Sequence, residues 1–228
     1  MGDAPISKRE FTFLATESSG RVSALLERPA DAWALLVLAH GAGAGMHHWF
    51  MEAVTKRLLD RGLAVLRYNF PYMEQGKKRP DNQPKLLKTV RSSMDAARET
   101  VGDLPILAGG KSMGGRMTSL VAAADGLGEV AGLLFFGFPL HSPAKPGSER
   151  AAHLPDVTVP MLYLQGTRDS LARLDLLEPV LAPLPLATLH VVEGADHGFH
   201  VLKRSGRTDE EVLDELAEAA VLWARRIV

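Results

Sequence analysis

The stretch ILAGGKSMGG, residues 106–115, decides how the rest of this sequence is interpreted. It begins as a short aliphatic strand, runs through glycines into a serine, and is followed by a segment with helical periodicity. Gly110, Ser112 and Gly114 form a Gly-x-Ser-x-Gly pattern at this strand-to-helix junction. Such a pattern is typical of a sharp turn that exposes a serine hydroxyl, because only small neighbours tolerate the strained backbone.

A phosphate-binding loop is the first alternative, because it also follows a strand and also contains Gly-Lys-Ser. Its signature needs another glycine five residues before Gly110, where this chain has Pro105 at the head of the strand. The loop that would wrap a phosphate is therefore missing, and we set nucleotide binding aside. The short serine pattern also fits an ordinary glycine-rich turn, so other parts of the chain must support a functional interpretation.

The elements along the chain indicate the fold class. Strands are predicted as a hairpin, 11–14 and 22–26, followed by 34–39, 64–68, 106–109, 131–136, 161–165 and 187–192. Helices are predicted at 49–61, 86–101, 115–124, 171–182 and 208–227, the last with a capping box of Thr208 and Glu211. Together they predict an α/β fold, a mostly parallel sheet with an N-terminal antiparallel hairpin and helices on both faces.

Length and composition set broad limits on function. The 228 residues, 46% hydrophobic and 23% charged, predict a single globular domain over 1–228. Since 26 Lys and Arg nearly balance 27 Asp and Glu, we expect neither a nucleic-acid nor a membrane partner. The chain has no Cys, which excludes disulfides and a cysteine nucleophile. No leader-like or membrane-spanning apolar run is found, so a cytoplasmic location is expected, and the oligomeric state is left open.

A catalytic serine requires a base and an acid, and the sequence offers both after later strands. A serine hydroxyl is a weak nucleophile unless a neighbouring base takes its proton. Asp169 follows the strand at 161–165, and His197 follows the strand at 187–192. Because parallel strands end at the same edge of a sheet, Ser112, Asp169 and His197 are predicted to be catalytic.

Each of these partners has a rival nearby. Asp169 could instead cap the helix that follows it. Asp196 is a second candidate acid, although it would have to fold back to reach its neighbour His197. His200 is a second candidate base, but the glycines on either side of His197 favour the latter as the residue on a tight, inward-facing turn.

The glycine-rich stretch HGAGAG, which follows the strand at 34–39, is the candidate oxyanion loop. An oxyanion is stabilised by two backbone N–H groups, one from the residue after the nucleophile and one from this loop. These are predicted to be Met113 and Ala42, with Gly43 as the alternative to Ala42. Glycine lets the backbone approach a ligand closely, so Gly41 and Gly43 are also predicted to bind substrate.

Two further segments are expected at the same edge of the sheet. Residues 72–84 follow the strand at 64–68, so Tyr72 is predicted to contact substrate. Three basic residues at 77–79 could attract an anionic substrate, although such a charge run is usually a solvated loop. The segment 140–159 is too short for a large lid, so an open site is expected.

Several longer motifs carry a family resemblance. They are HGAG (40–43), RYNFPYME (67–74), GGKSMGGR (109–116), GFPLH (137–141), QGTRD (165–169) and GADH (194–197). They resemble a small α/β-hydrolase family related to dienelactone hydrolases, which includes a testis-expressed protein and the hydrolase-like subunit of a histone-acetyltransferase complex. The resemblance implies an α/β-hydrolase fold with Ser112, Asp169 and His197 at the triad positions. Dienelactone hydrolases use cysteine as nucleophile, so Ser112 weakens a lactone assignment.

Two functions of different classes fit these observations. The first is a serine hydrolase that cleaves carboxylic ester or thioester bonds of a small acyl substrate through an acyl-enzyme. It needs no cofactor, and no metal is expected, because His47 and His48 have no acidic partner at ligand spacing. The second is a non-catalytic protein-interaction module that keeps the fold, and the complete set of catalytic candidates argues against it.

Overall fold

A single sheet organises the protein, seen in a computed structural model that describes residues 5–228. In that part of the chain the strands are β1 (Ile6–Thr16), β2 (Gly20–Pro29), β3 (Ala34–Ala39), β4 (Leu63–Tyr68), β5 (Ile106–Lys111), β6 (Gly132–Phe136), β7 (Met161–Gly166) and β8 (Ala187–Val192). Their order is β1-β2-β4-β3-β5-β6-β7-β8. β2 pairs antiparallel with β1 and β4, and all other neighbours pair in parallel. This confirms the predicted sheet.

Helices cover both faces of the sheet. Over the described residues they are α1 (Trp49–Leu59), α2 (Pro71–Glu74), α3 (Gln83–Thr100), α4 (Met113–Asp125), α5 (Leu174–Leu181) and α6 (Asp209–Ala224). Helices α1 and α6 share one core layer, in which Phe50 and Leu216 are buried. The other layer contains α3, α4 and α5, with Val90 and Val121 buried. Every residue of β3, ALLVLA, is buried, as expected for a strand covered on both sides.

Some element boundaries differ from the prediction. The hairpin strands are longer than 11–14 and 22–26, because the polar residues at the start of β1 pair through their backbone. The helix predicted at 171–182 begins only at Leu174, since the preceding residues form a bend. The helix predicted at 208–227 ends at Ala224, and its predicted capping box is present.

The two segments expected at the edge of the site contain little regular structure. The short helix α2 was not predicted, and it begins with Pro71, a favourable residue at a helix start. The segment 140–159 forms two single 3₁₀ turns, Glu149–Ala151 and Leu154–Asp156. The described residues thus include no large helical lid, as expected.

The sequence also led to expectations about membrane segments, a leader and the number of domains. No helix among residues 5–228 has the length and apolar character needed to cross a membrane. The predicted domain, 1–228, and the expectation of no leader both involve residues 1–4, which lie outside the described residues. The single domain therefore stays a prediction.

Candidate active site

Ser112 forms the sharp turn between β5 and α4. Its φ of 50° and ψ of −115° place it in the left-handed half of backbone space, which is strained for a residue with a side chain. A Cβ atom on Gly110 would lie 2.5 Å from the carbonyl oxygen of Ala39, and one on Gly114 would lie 2.6 Å from the same oxygen. Both glycines of the pattern are therefore required, because β3 passes too close for a side chain.

The structure brings the three predicted catalytic side chains into one hydrogen-bonded relay. The Nε2 atom of His197 lies 2.8 Å from Oγ of Ser112, and its Nδ1 atom lies 2.7 Å from Oδ2 of Asp169. The Asp169 side chain is 1% exposed, whereas the imidazole of His197 is 23% exposed. With the proton on Nδ1 donated to Asp169, Nε2 is free to accept the hydroxyl proton of Ser112. This tautomer is the one that a serine nucleophile needs.

A buried network fixes the carboxylate of Asp169. The side-chain amide of Gln165 donates to Oδ2, and the backbone N–H of Leu171 donates to Oδ1 over 2.7 Å. Gln165 is itself held by the backbone N–H of Phe138, at 3.0 Å. Asp169 thus holds the bend after β7 as well as the ring of His197. It is not the N-cap of α5, which is Arg173. No role was predicted for Gln165, and the signals for one were its place in the QGTRD motif and its polar side chain at the end of an apolar strand.

The rival acid and base have other partners. The carboxylate of Asp196 accepts the backbone N–H groups of Gly198 and His200, at 2.8 and 3.0 Å, and so closes its own loop. The ring of His200 bonds to Asp209 at 2.7 Å and lies against the ring of Trp49. Within the described chain neither Asp196 nor His200 bonds to Ser112 or to its histidine.

The candidate oxyanion donors are free N–H groups. Within residues 5–228 the N–H of Ala42 has no acceptor, and the N–H of Met113 belongs to the unsatisfied first turn of α4. By contrast, the N–H of Gly43 donates to a tyrosine hydroxyl at 3.3 Å. A Cβ atom on Gly41 would lie 3.7 Å from Cβ of Ser112, so the loop passes directly beside the nucleophile. These contacts favour Ala42 over Gly43 as the second donor.

Two buried rings support this loop from below. The hydroxyl of Tyr72 lies 3.4 Å from the carbonyl oxygen of Gly41, and the Tyr72 side chain is fully buried. The Nδ1 atom of His40 donates to the same carbonyl at 2.8 Å, while Nε2 accepts the N–H of Phe70 at 3.0 Å. Burial lowers the pKa of His40 to about 4, so its ring is neutral. The substrate contact of Tyr72 stays a prediction, and in this structure the buried tyrosine supports the loop.

The histidines beside the glycine loop have structural partners. His47 pairs with Glu52 at 3.2 Å, and the ring of His48 accepts the N–H of Phe50 at the start of α1. Within the described chain no group of three or more His, Asp or Glu residues could hold a metal ion. The basic residues at 77–79 are exposed, so the alternatives of a solvated loop and an anion-attracting rim both stay open.

Fold and site together define a class of protein. A mostly parallel sheet with a serine on a strained strand-to-helix turn, followed along the chain by an aspartate and a histidine, is the arrangement of α/β hydrolases. The chain belongs to the alpha/beta hydrolase domain family, which matches residues 32–225.

Solved structures resemble this chain over nearly its whole length. A dienelactone hydrolase from Anabaena variabilis ATCC 29413 superposes with a TM-score of 0.77 at 20% identity, covering 98% of this chain and 99% of that one. A serine hydrolase without lid from Xanthomonas campestris has a TM-score of 0.74 at 19% identity, covering 96% of each chain. A cold-adapted esterase from an Arctic intertidal metagenomic library has a TM-score of 0.68 at 22% identity, covering 95% and 94%. At these identities the likeness establishes the fold.

Proposed function

We propose that this protein is a serine hydrolase that cleaves carboxylic ester or thioester bonds of small acyl substrates. The observation that carries the proposal is the continuous relay from Ser112 through His197 to Asp169, with contacts of 2.8 and 2.7 Å. A hydroxyl, an imidazole and a buried carboxylate in this order are what nucleophilic acyl transfer needs. Two proteins of similar structure, a cold-adapted esterase and a dienelactone hydrolase, support chemistry at a carboxyl carbon.

Acylation follows directly from the geometry. Oγ of Ser112 attacks the carbonyl carbon of the substrate while its proton passes to Nε2 of His197. The carbonyl oxygen becomes an oxyanion, which the free N–H groups of Ala42 and Met113 stabilise. The imidazolium, stabilised by Asp169, then gives its proton to the departing alcohol or thiol, leaving an acyl ester on the serine.

Deacylation reverses these roles. His197 takes a proton from water, and the resulting nucleophile attacks the acyl ester on Ser112. The second oxyanion collapses, the serine oxygen regains its proton from the imidazolium, and the carboxylic acid leaves. Every step uses groups that this chain supplies, and the absence of a large lid from 140–159 suits a small or accessible acyl group.

A fluorophosphonate probe tests the proposal, because it reacts with activated serines. Ser112 is expected to take the label, and Ser112→Ala is expected to lose both the label and the hydrolysis of p-nitrophenyl esters. Ser119→Ala is the matched control, since Ser119 also bonds to a histidine, His153, at 2.8 Å but lies within α4 away from the turn. Folded wild-type protein that takes no label between pH 6 and 9 would overturn the proposal.

The alternative is a non-catalytic interaction module, as suggested by the resemblance to a family that includes a subunit of a histone-acetyltransferase complex. A folded protein of that kind takes no label, hydrolyses no ester in a broad panel and co-purifies with a partner. The aligned relay and the free N–H of Ala42 argue against it, because a scaffold without turnover has no need of either. The same labelling experiment separates the two functions.

A further inference from the structure

Lys111, the last residue of β5, immediately precedes the serine turn, and nothing in the mechanism above uses it. Its Nζ atom donates a hydrogen bond of 2.6 Å to the backbone carbonyl oxygen of His197. Within the described residues that carbonyl has no other donor, and Lys111 forms no salt bridge. The side chain thus links the strand that carries the nucleophile to the loop that carries the base.

Two aromatic rings enclose the amine. Nζ of Lys111 lies 5.6 Å from the ring centroid of Phe50 and 5.3 Å from that of Phe199, and the two rings stack at 5.5 Å. Phe199 adopts a φ of 65°, which is unfavourable for a residue with a bulky side chain. Such a conformation persists only where the surroundings hold it, and Lys111 contacts this loop at both His197 and Phe199.

Because Gly137 has no side chain, Lys111 and His197 can both pack against its backbone. Its φ is 69°, and a Cβ atom there would lie 3.2 Å from Nζ of Lys111 and 3.4 Å from Cε1 of His197. Both groups therefore pack over the same backbone position. A side chain at position 137 would therefore press on both the amine and the imidazole.

A lysine is an expensive residue for this position. A methionine or leucine would fill the space against Phe50 and Phe199 without desolvating a charge. Burial of the ammonium lowers the pKa of Lys111 to about 8, although the charges of Asp169 and Asp196 act in the opposite direction. What the lysine offers and an apolar residue does not is the hydrogen bond to the carbonyl of His197.

On the proposed serine hydrolase function we build one further proposal. We propose that Lys111 is a positioning residue, which holds the backbone of His197 through its Nζ–H donor and so keeps the imidazole aligned between Ser112 and Asp169. It does not act as a base towards the serine, because its amine bonds to the histidine carbonyl and not to Oγ of Ser112. The two hydrogen bonds of the relay, Ser112 to His197 and His197 to Asp169, then depend on a third one, from Lys111 to the carbonyl of His197.

Steady-state hydrolysis of a p-nitrophenyl ester by three variants tests this role. Lys111→Met keeps the length and the apolar contacts but removes the donor, and its kcat is expected to fall about 10- to 100-fold with KM nearly unchanged. Lys111→Arg keeps a charged donor and is expected to recover at least part of that loss. Lys56→Met, which removes an exposed lysine of α1, is the control and is expected to match the wild type.

A second readout follows the relay itself. The proton shared by His197 and Asp169 is expected to give a far-downfield proton NMR signal in the wild type, and this signal is expected to broaden or vanish in Lys111→Met. The rate of fluorophosphonate labelling at Ser112 should fall in parallel with kcat. A contact that served only stability would lower the melting temperature and leave kcat of the folded protein and this signal unchanged.

The outcomes separate this proposal from the function on which it rests. If the wild type hydrolyses esters and labels at Ser112 while Lys111→Met keeps wild-type kcat, the role of Lys111 is wrong and the hydrolase function stands. The proposal for Lys111 would also be overturned if Lys111→Met and Lys111→Arg lost kcat equally at equal melting temperatures. Should Lys111→Met not fold, Lys111→Leu, which also lacks the donor, replaces it, and wild-type kcat in that variant overturns the proposal.

Discussion

The buried carboxylate of Asp169 fixes which nitrogen of His197 carries the proton. One of its oxygens accepts the Nδ1 proton at 2.7 Å, and the other accepts the N–H of Leu171, also at 2.7 Å. This arrangement sets both the ring orientation and the tautomer, because the proton on Nδ1 leaves Nε2 facing Ser112 as an acceptor. Replacing one oxygen of this carboxylate by nitrogen therefore changes whether Nε2 of His197 can accept the proton of Ser112.

Asp169→Asn tests this at the scale of the residue. An amide of the same shape can donate its N–H to Nδ1 and so favours the wrong tautomer, with kcat expected to fall about 10⁴-fold and KM to change little. Asp196→Asn is the matched control, since Asp196 holds its own loop and not the ring. A larger loss of kcat in Asp196→Asn than in Asp169→Asn would show that Asp169 is not the acid of the relay.

At the scale of elements, the site depends on how closely α4 approaches the end of β3. The N-terminal turn of α4 carries Gly114, which lies against the carbonyl groups of Ala39 and His40. These two residues lead into the glycine loop that contains Ala42. The same contact therefore sets the distance between the turn of the proposed nucleophile and the loop that carries the proposed second oxyanion donor.

Gly114→Ala is expected to disturb both elements. The new methyl group would lie 2.6 Å from two backbone oxygens, those of Ala39 and His40, which cannot rotate away. We expect a loss of stability of about 1–3 kcal/mol from overpacking, and a fall in kcat beyond what the folded fraction explains. Urea unfolding and ester hydrolysis measure the two effects. Gly20→Asn is the control, because nothing lies within 4 Å of that position and its φ of 77° suits asparagine.

Over the whole molecule, the neutral, buried ring of His40 contributes to the pH dependence of stability. Its pKa of about 4 in the folded protein lies below the ordinary value of 6.5. The unfolded chain therefore binds more protons between these values, and stability falls as the pH drops from 6.5 towards 4. Above pH 6.5 this contribution is fully present.

Urea unfolding at pH 7.5 and 4.5 measures this contribution. The shift corresponds to about 3 kcal/mol at the lower pH, using 1.36 kcal/mol for each pKa unit. His40→Gln removes the titrating ring, so its free energy of unfolding is expected to fall less between the two pH values than that of the wild type. Comparing the two proteins cancels the protonation of carboxylates common to both. Parallel pH dependence in the two proteins would contradict the assignment to His40.

The sequence was most informative where one local rule decides the outcome. Continuous apolar runs located strands such as β3, and the turn pattern located Ser112, because strand burial and backbone strain leave direct marks on composition. The tertiary partners of Tyr72, Gln165 and Lys111 left no such mark. Each of them forms a hydrogen bond to a residue far away in the chain, Tyr72 to Gly41, Gln165 to Phe138 and Lys111 to His197, so their roles emerge only from the packed sheet.

The placement of Ser112, Asp169 and His197 after β5, β7 and β8 has a consequence for how activity arises during folding. The three residues follow three different strands, and β6 must lie between β5 and β7 before Ser112 can meet the other two. On the proposed function, catalysis therefore requires the slow, long-range pairing of parallel strands. We expect a nascent or partly refolded chain to be inert towards esters, and the appearance of turnover to mark the assembly of half of the sheet in register.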